Sequence, residues 1–411
     1  MAKGFAVFLG LLFSVSAFAH NDGENLYWLK ARAKDKYDRT RIADAGISIE
    51  IVSDDYVVTM GDENDRNSLE KMGLLESSFL ANADFLDFPS QDSEFHNYTE
   101  MKTVLEELAA SNPTLVQLDS IGQSVEGREI LHLRISGQLD KADQLPAFAL
   151  MGGHHAREHV SIDIPIRFAK YLIESYNAGD AEVRRLVDNR DIHIIPVVNP
   201  DGAEYDIASG NYRMWRKNRS INGGKYGVDL NRNYGYLWGK GGSSTSPSSD
   251  VYMGPAPFSE PETKAIKNFV ESHSNITMLL SLHTFGELVL WPLGGTYDDI
   301  TNARDLSVFQ TMGKTMADWN GYSPQKSSDL YVASGDTTDW AYGERGIFAF
   351  TFELDPVDMW DGGFYPGQAI IPSVLKKNLK PFMYMMDLSD NPYRALEPNH
   401  VAYGLSAPLV D

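Results

Sequence analysis

Ala147-Phe148-Ala149-Leu150-Met151-Gly152-Gly153 runs straight into His154-His155-Ala156-Arg157-Glu158-His159. The apolar run ending in glycines reads as a strand, Ala147 to Gly152. A helix follows from Ser161 to Tyr176, with Pro165 expected in its first turn, where proline is tolerated. On either side, Leu115 to Ile121, Glu129 to Ser136 and Ile192 to Val198 read as further strands, and Thr99 to Ala110 as an amphipathic helix. Ser259-Glu260-Pro261-Glu262 reads as a capping box opening a helix to Ser272. Met278 to His283 and Ile347 to Glu353 are apolar enough to be strands buried on both faces, and Gln368 to Asp387 is a last helix. Strands separated by helices predict an α/β domain, a mixed and mostly parallel sheet covered by helices on both faces. It spans about residues 95–390. No pattern is legible in 391–411, a tail of unknown role.

Ahead of this domain the pattern differs. The apolar run Phe5 to Phe18, a single preceding charge at Lys3 and the small-x-small site Ala17-Phe18-Ala19 read as a signal peptide over residues 1–19. The expectation is therefore a secreted or periplasmic protein with no membrane attachment after cleavage. Residues 20–94 read as a small α+β unit and a linker. Leu26 to Ala31, Ile47 to Val52 and Tyr56 to Met60 are its strands, Lys36 to Ala45 and Asn64 to Met72 its helices. Asp84 to Glu94, acidic and with Pro89, reads as the linker.

Composition narrows the function. A net charge of −21 argues against nucleic acid, whose phosphates need clustered Lys and Arg, and disfavours an anionic membrane surface. The absence of cysteine excludes disulfides, thiol nucleophiles and thiolate metal sites. A tightly held metal must use His, Asp or Glu.

In α/β enzymes ligands gather at the carboxyl ends of strands, and that is where the histidine-rich stretch lies. Two zinc readings compete. His155-x-x-Glu158-His159 matches an inverted zincin pattern, with two His ligands and Glu as base. That pattern belongs on a continuous helix, whereas here it follows Gly152-Gly153. The other reading takes His155 and Glu158 as ligands and a third from a distant strand, which His283 fits at the end of Met278 to Leu282. Two histidines, one carboxylate and an open fourth position make a catalytic zinc site.

At this point the chain resembles the zinc carboxypeptidases related to carboxypeptidases A, B and T, over roughly residues 95–390. The motifs recur in the family's order: His155-x-x-Glu158, Met214-Trp215-Arg216-Lys217, Asp229-Leu230-Asn231-Arg232-Asn233, Ser281-Leu282-His283, Ser334-Gly335 and Phe350-Thr351-Phe352-Glu353-Leu354. The turn Asn199-Pro200-Asp201-Gly202 agrees as well. The resemblance implies one Zn(2+) per catalytic domain on His155, Glu158 and His283, with Glu353 as general base and then proton donor. It implies Arg216 at the developing oxyanion, Arg232 and Asn231 on the free carboxylate of a peptide or protein C-terminus, and Tyr331 closing over it. Arg157 would contact upstream carbonyls, and Asp229 would orient an imidazole, that of His155. Asn233 and Trp215 are read as structural, His154 and His159 as bystanders. Calcium is compatible with the acidic surface, but no recognisable loop supports it. A monomer is expected.

The resemblance also implies that residues 20–94 are a pro-segment that covers the site. Between Met72 and Met101 there is no Lys or Arg, so a trypsin-like protease has nothing to cut there, and the activating protease is unknown. Specificity turns on Tyr331 to Trp340. The deep-pocket position is Thr338, neither apolar nor acidic, and Asp336 sits two residues earlier, an arrangement similar to carboxypeptidase T. With Leu290 and Leu330 as apolar contacts, release of hydrophobic and basic C-terminal residues is expected. Asp336 can instead simply shape the turn after Gly335. Other readings are an enzyme acting on cell-wall stem peptides, an inactive peptide-binding relative, and an amidase for small acylated amino acids.

Overall fold

Long apolar runs buried on two faces require cover on two sides, and the chain supplies it. The computed structural model describes residues 27–80, 88, 92–208 and 212–397. The segment read as a signal peptide, part of the linker and the end of the tail lie outside the described residues.

A first module contains β1 (Tyr27–Arg32), α1 (Lys36–Asp44), β2 (Ser48–Val52), β3 (Tyr56–Gly61), α2 (Glu63–Lys71) and β4 (Leu75–Leu80). Its antiparallel sheet has the order β2-β3-β1-β4. β4 was not anticipated, because Leu75-Glu76-Ser77-Ser78 lacks a clean apolar alternation. On one face Leu29, Ala31, Ile49 and Val57 pack against Ile42, Ala43 and Leu69 of the two helices. Period-2 alternation turns Trp28 and Met60 to the other face, and the register shift between Ile49 and Ile51 brings Ile51 there as well. There they meet Met214, Phe285 and Phe364 of the second module.

The second module runs α3 (Tyr98–Ser111), β5 (Val116–Gln123), β6 (Glu129–Ile135), β7 (Ala147–Met151), α4 (His159–Ala178), α5 (Ala181–Val187), β8 (Asp191–Ile195) and α6 (Pro200–Ile207). A two-residue hairpin follows, β9 (Ile221–Asn222) and β10 (Lys225–Tyr226), then α7 (Pro261–Ser272), β11 (Ile276–Thr284), β12 (Leu288–Trp291), α8 (Ala303–Asn320), β13 (Ser323–Lys326), α9 (Ser327–Leu330), α10 (Thr337–Arg345), β14 (Phe348–Leu354) and α11 (Ile371–Leu388). The sheet order is β13-β12-β14-β11-β7-β8-β6-β5. β14, β11, β7 and β8 are mutually parallel at its centre, with antiparallel pairs toward both edges. Phe148 and Leu150 of β7 join one core, shared with α4, α8 and α11. Ala147, Ala149 and Met151 join the other, beneath α7 and α10. Among the described residues no helix is long and apolar enough to cross a membrane.

Three local expectations are corrected. α4 starts at His159, two residues early, so Pro165 lies in its second turn. The Ser161 carbonyl that Pro165 cannot bond instead lies against Gly152, where a Cβ would come within 1.9 Å of it. The capping box before α7 does not form: Glu260 is the N-cap without a side-chain cap bond. Ser259 donates to Glu260 Oε1 (2.6 Å), while Glu262 accepts from Val125 N (3.1 Å) and Asn218 Nδ2 (3.1 Å). Finally, the stretch read as linker is in part bound to the second module. Phe88 stacks on Phe95 and meets His159 edge-on, at 5.5 and 5.0 Å between ring centres, and Asp92 accepts from Gln368 N (2.9 Å). Past Asn391, Pro392–Leu396 form a 3-10 turn pinned by Tyr393, which donates to Asp305 (2.7 Å).

Candidate active site

Parallel strands end on the same edge, so β7, β11 and β14 deliver their carboxyl-terminal residues to one place. Register does the rest. His283 and Glu353 are direct partners in the β11–β14 pair, and the loop after β7 brings His155 and Glu158 beside them. Gly153 holds that loop in the left-handed region at φ +60, close against Ile162 and Val197.

His155 Nδ1 lies 2.7 Å from Glu158 Oε1, and His283 Nδ1 lies 3.0 Å from Glu158 Oε2. The two Nδ1 atoms are 3.1 Å apart. Among the described residues these three form the group able to hold a metal, with ligand atoms within 4.8 Å of one another. His155 Nε2 donates to Asp229 Oδ1 (3.1 Å), which leaves the lone pair on Nδ1. Burial lowers the pKa of His283. Burial pushes the Glu158 carboxyl up, but the two imidazoles outweigh it and hold it well below the usual range. Three electron-pair donors aimed at one point repel one another unless a cation sits between them, and two His plus one carboxylate suit zinc.

Around this group the charges are tightly placed. Asp229 is fully buried. Its Oδ2 accepts from Arg216 Nε (3.0 Å) and forms an ion pair with Nη2, also 3.0 Å away, and its Oδ1 accepts from Asn231 N (2.9 Å). Burial raises the Asp229 pKa, but Arg216 and His155 bring it well below the usual carboxylate range. Glu353 moves the other way: burial, and then Glu158, push it well above the ordinary value against the pull of Arg216.

A cavity of about 460 Å³ opens over the group, lined by His155, Glu158, His283, Arg216 and Glu353. Asn231, Arg232, Tyr331, Asp336, Thr338 and Leu290 line it too, so these sequence-selected residues come together. Asn231 Oδ1 accepts from Thr337 N and Oγ1 (3.0 and 2.9 Å), turning Nδ2 the other way. Arg232 is braced by the carbonyls of Gly242 and Asn231. Asp336 caps α10: its Oδ1 accepts from Thr338 N, Asp339 N and Thr338 Oγ1, while Oδ2 faces Gly294 in the cavity wall. Arg157 stands beside the cavity, its Nη1 donating to Met214 O (3.0 Å) and Nη2 to Glu50 Oε1 (2.5 Å), with Phe364 stacked on it at 4.5 Å. His154 turns away to Tyr234 and Thr337, and His159 to Asp206.

Sequence reasoning passed over Glu50, which lines the cavity from the first module with Ile49, Ile51 and Val52. A carboxylate between two isoleucines of a strand was the available signal. It also passed over Thr351, a polar residue inside the run Phe348 to Phe352, which sits in the cavity wall.

The description zinc carboxypeptidase belongs to the family model that matches residues 101–380. A zinc carboxypeptidase of Saccharothrix mutabilis subsp. capreolus is 34% identical over 376 residues, 86% of either chain. Carboxypeptidase A1 of Rattus norvegicus is 32% identical over 354 residues, 85% of this chain and 80% of that one. The crystal structure of the carboxypeptidase A from Helicoverpa armigera superposes with a TM-score of 0.73 at 24% identity, over 93% of this chain and 100% of that one, a likeness of fold. A match over most of the chain, joined to a ligand group of the required chemistry, places this chain in the zinc carboxypeptidase family, whose members are hydrolytic metallopeptidases.

Proposed function

We propose that the chain is the precursor of a secreted exopeptidase that hydrolyses the last peptide bond of peptides and proteins, releasing hydrophobic and basic residues. The observation that carries this reading is the meeting of His155, Glu158, His283 and Glu353 with Arg216 and Arg232 around one cavity. Zinc held by His155, Glu158 and His283 supplies Lewis acidity and a water of pKa about 7. Glu353 takes a proton from the attacking water and delivers it to the departing amine as the C–N bond breaks. Its raised pKa suits a group that must hold that proton between the two events. Arg216, fixed by Asp229, meets the negative charge that develops on the scissile carbonyl oxygen. Arg232 and Asn231 take the terminal carboxylate, which makes the enzyme act at chain ends, and Tyr331 closes over it.

The departing side chain enters between Leu290, Thr338 and Asp336, where one carboxylate oxygen can pair with a cation while the walls accept apolar groups. Arg157 serves the residues further upstream. In the full-length chain Glu50 occupies Arg157 and β2 lines the cavity, which supports reading the first module as an inhibitory pro-segment. The apolar run Phe5 to Phe18 supports export. The test is a hydrolysis profile of the chain, before and after limited proteolysis, on peptides varied only in the C-terminal residue, with cell-wall stem peptides as a comparison. Release of Phe, Leu, Lys and Arg, with acidic residues poor, is expected. Activity confined to stem peptides refutes the substrate class.

A further inference from the structure

Asp206 lies in the last turn of α6 and touches none of the groups given a role above, yet its carboxylate is fully buried and accepts three hydrogen bonds from three separate segments. Oδ2 accepts from His159 Nε2 (2.9 Å) and from Tyr365 Oη (2.8 Å), and Oδ1 accepts from Trp215 N (2.7 Å). His159 directly follows Glu158. Trp215 directly precedes Arg216. Tyr365 directly follows Phe364, which stacks on Arg157. One carboxylate therefore ties the metal-binding loop, the oxyanion arginine and the upstream wall together.

A second observation points to the same hub. Met214, next to Trp215, sits at φ +55, a left-handed conformation unusual for a residue with a side chain. Such a conformation costs about 1–3 kcal/mol and persists only where the surroundings over-determine it. Here Asp206 fixes Trp215 N, Arg157 holds Met214 O, and Ala156 N donates to Arg216 O (3.0 Å). Without the Asp206 bond the segment would relax toward negative φ and carry Arg216 with it.

We propose that Asp206 is a positioning residue that sets Arg216 and the Phe364–Arg157 wall in register with the ligand loop. This rests on the roles given above to Glu158, Arg216 and Arg157. The test uses the full-length, zinc-loaded chain activated by limited proteolysis, with a blocked dipeptide and a tetrapeptide sharing one C-terminal residue. In Asp206→Ala, kcat on the dipeptide should fall about 10–100-fold with KM within about twofold, because Arg216 acts on charge present only in the transition state. Bound zinc should stay stoichiometric. Adding Met214→Gly should restore part of kcat, since glycine keeps the left-handed conformation without strain. Tyr365→Phe should lower kcat/KM several-fold on the tetrapeptide and not on the dipeptide. An unchanged kcat in Asp206→Ala, or no gain from Met214→Gly, overturns the proposal. If Asp206→Ala does not fold, Tyr365→Phe decides, and equal effects on both substrates overturn it. A parent enzyme that releases no C-terminal residue would refute the functional reading instead.

Discussion

Asp229→Asn removes one charge and keeps the shape, so its effects can be worked from the structure. Asp229 Oδ1 fixes the His155 tautomer by accepting from Nε2, and Oδ2 accepts from Arg216 Nε (3.0 Å) with Nη2 also 3.0 Å away. An asparagine that turns its amide toward His155 offers a donor to a donor. His155 must then carry its proton on Nδ1, the atom it presents to Glu158 and His283, or lose the bond. Outer partners of metal ligands typically contribute about 10–100-fold in metal affinity. An asparagine that turns the other way opposes Arg216 instead, a buried cation that then has no direct counter-charge. Breaking such a pair costs about 3–5 kcal/mol, although Glu50 and Glu158 also act on Arg216. The expected result is a 10–100-fold weaker zinc affinity in competition with a chromophoric chelator. The melting temperature of the metal-free chain should fall by on the order of 10 °C. A zinc affinity within twofold of the parent and an unchanged melting temperature would refute the reasoning.

Glu353→Gln should keep stoichiometric zinc and peptide affinity while kcat falls about 10²–10⁴-fold; loss of zinc would show that Glu353 is a ligand and displace Glu158 from that role. Asp336→Asn is a clean test of charge, because asparagine caps a helix about as well as aspartate. kcat/KM for C-terminal Lys and Arg should fall about tenfold or more, the worth of a hydrogen bond to a charged group, with Phe and Leu within twofold, and equal losses would mean Asp336 only shapes the turn. Glu50→Ala removes the first module's partner of Arg157 Nη2 in the uncut chain, so uncut activity should rise several-fold while the cleaved enzyme is unaffected; no rise in the uncut form would remove Glu50 from inhibition.

The central strands of the sheet were legible because burial on both faces imposes unbroken apolar runs, as in Met278 to Leu282 and Ile347 to Phe352. The strands β12 and β13 at one end of the sheet were not, since each has only four residues, too few to show a period, and β13 contains Pro324. A metal site was legible because histidines gather where apolar runs stop, but the residues alone left two ligand sets open, and it was the family resemblance that favoured His155, Glu158 and His283. The capping box failed for a tertiary reason: Glu262 is drawn off to Val125 and Asn218, partners distant in sequence. The same limit hid Glu50 and Asp206. Each is one carboxylate whose meaning lies in arginine, tyrosine and backbone groups brought close only by folding. His159 looked idle because its partner, 47 residues away, could not be seen.

The dependence of catalysis on a metal held by His155, Glu158 and His283 is tested by peptide hydrolysis through a cycle of zinc removal and return, with metal content counted in parallel for the parent, His155→Ala and His283→Ala. The parent should carry one zinc, lose C-terminal release on chelation and regain it with zinc, while both variants bind no zinc and stay inactive. Hydrolysis that survives complete removal of the metal, or variants that keep zinc and activity, would contradict it.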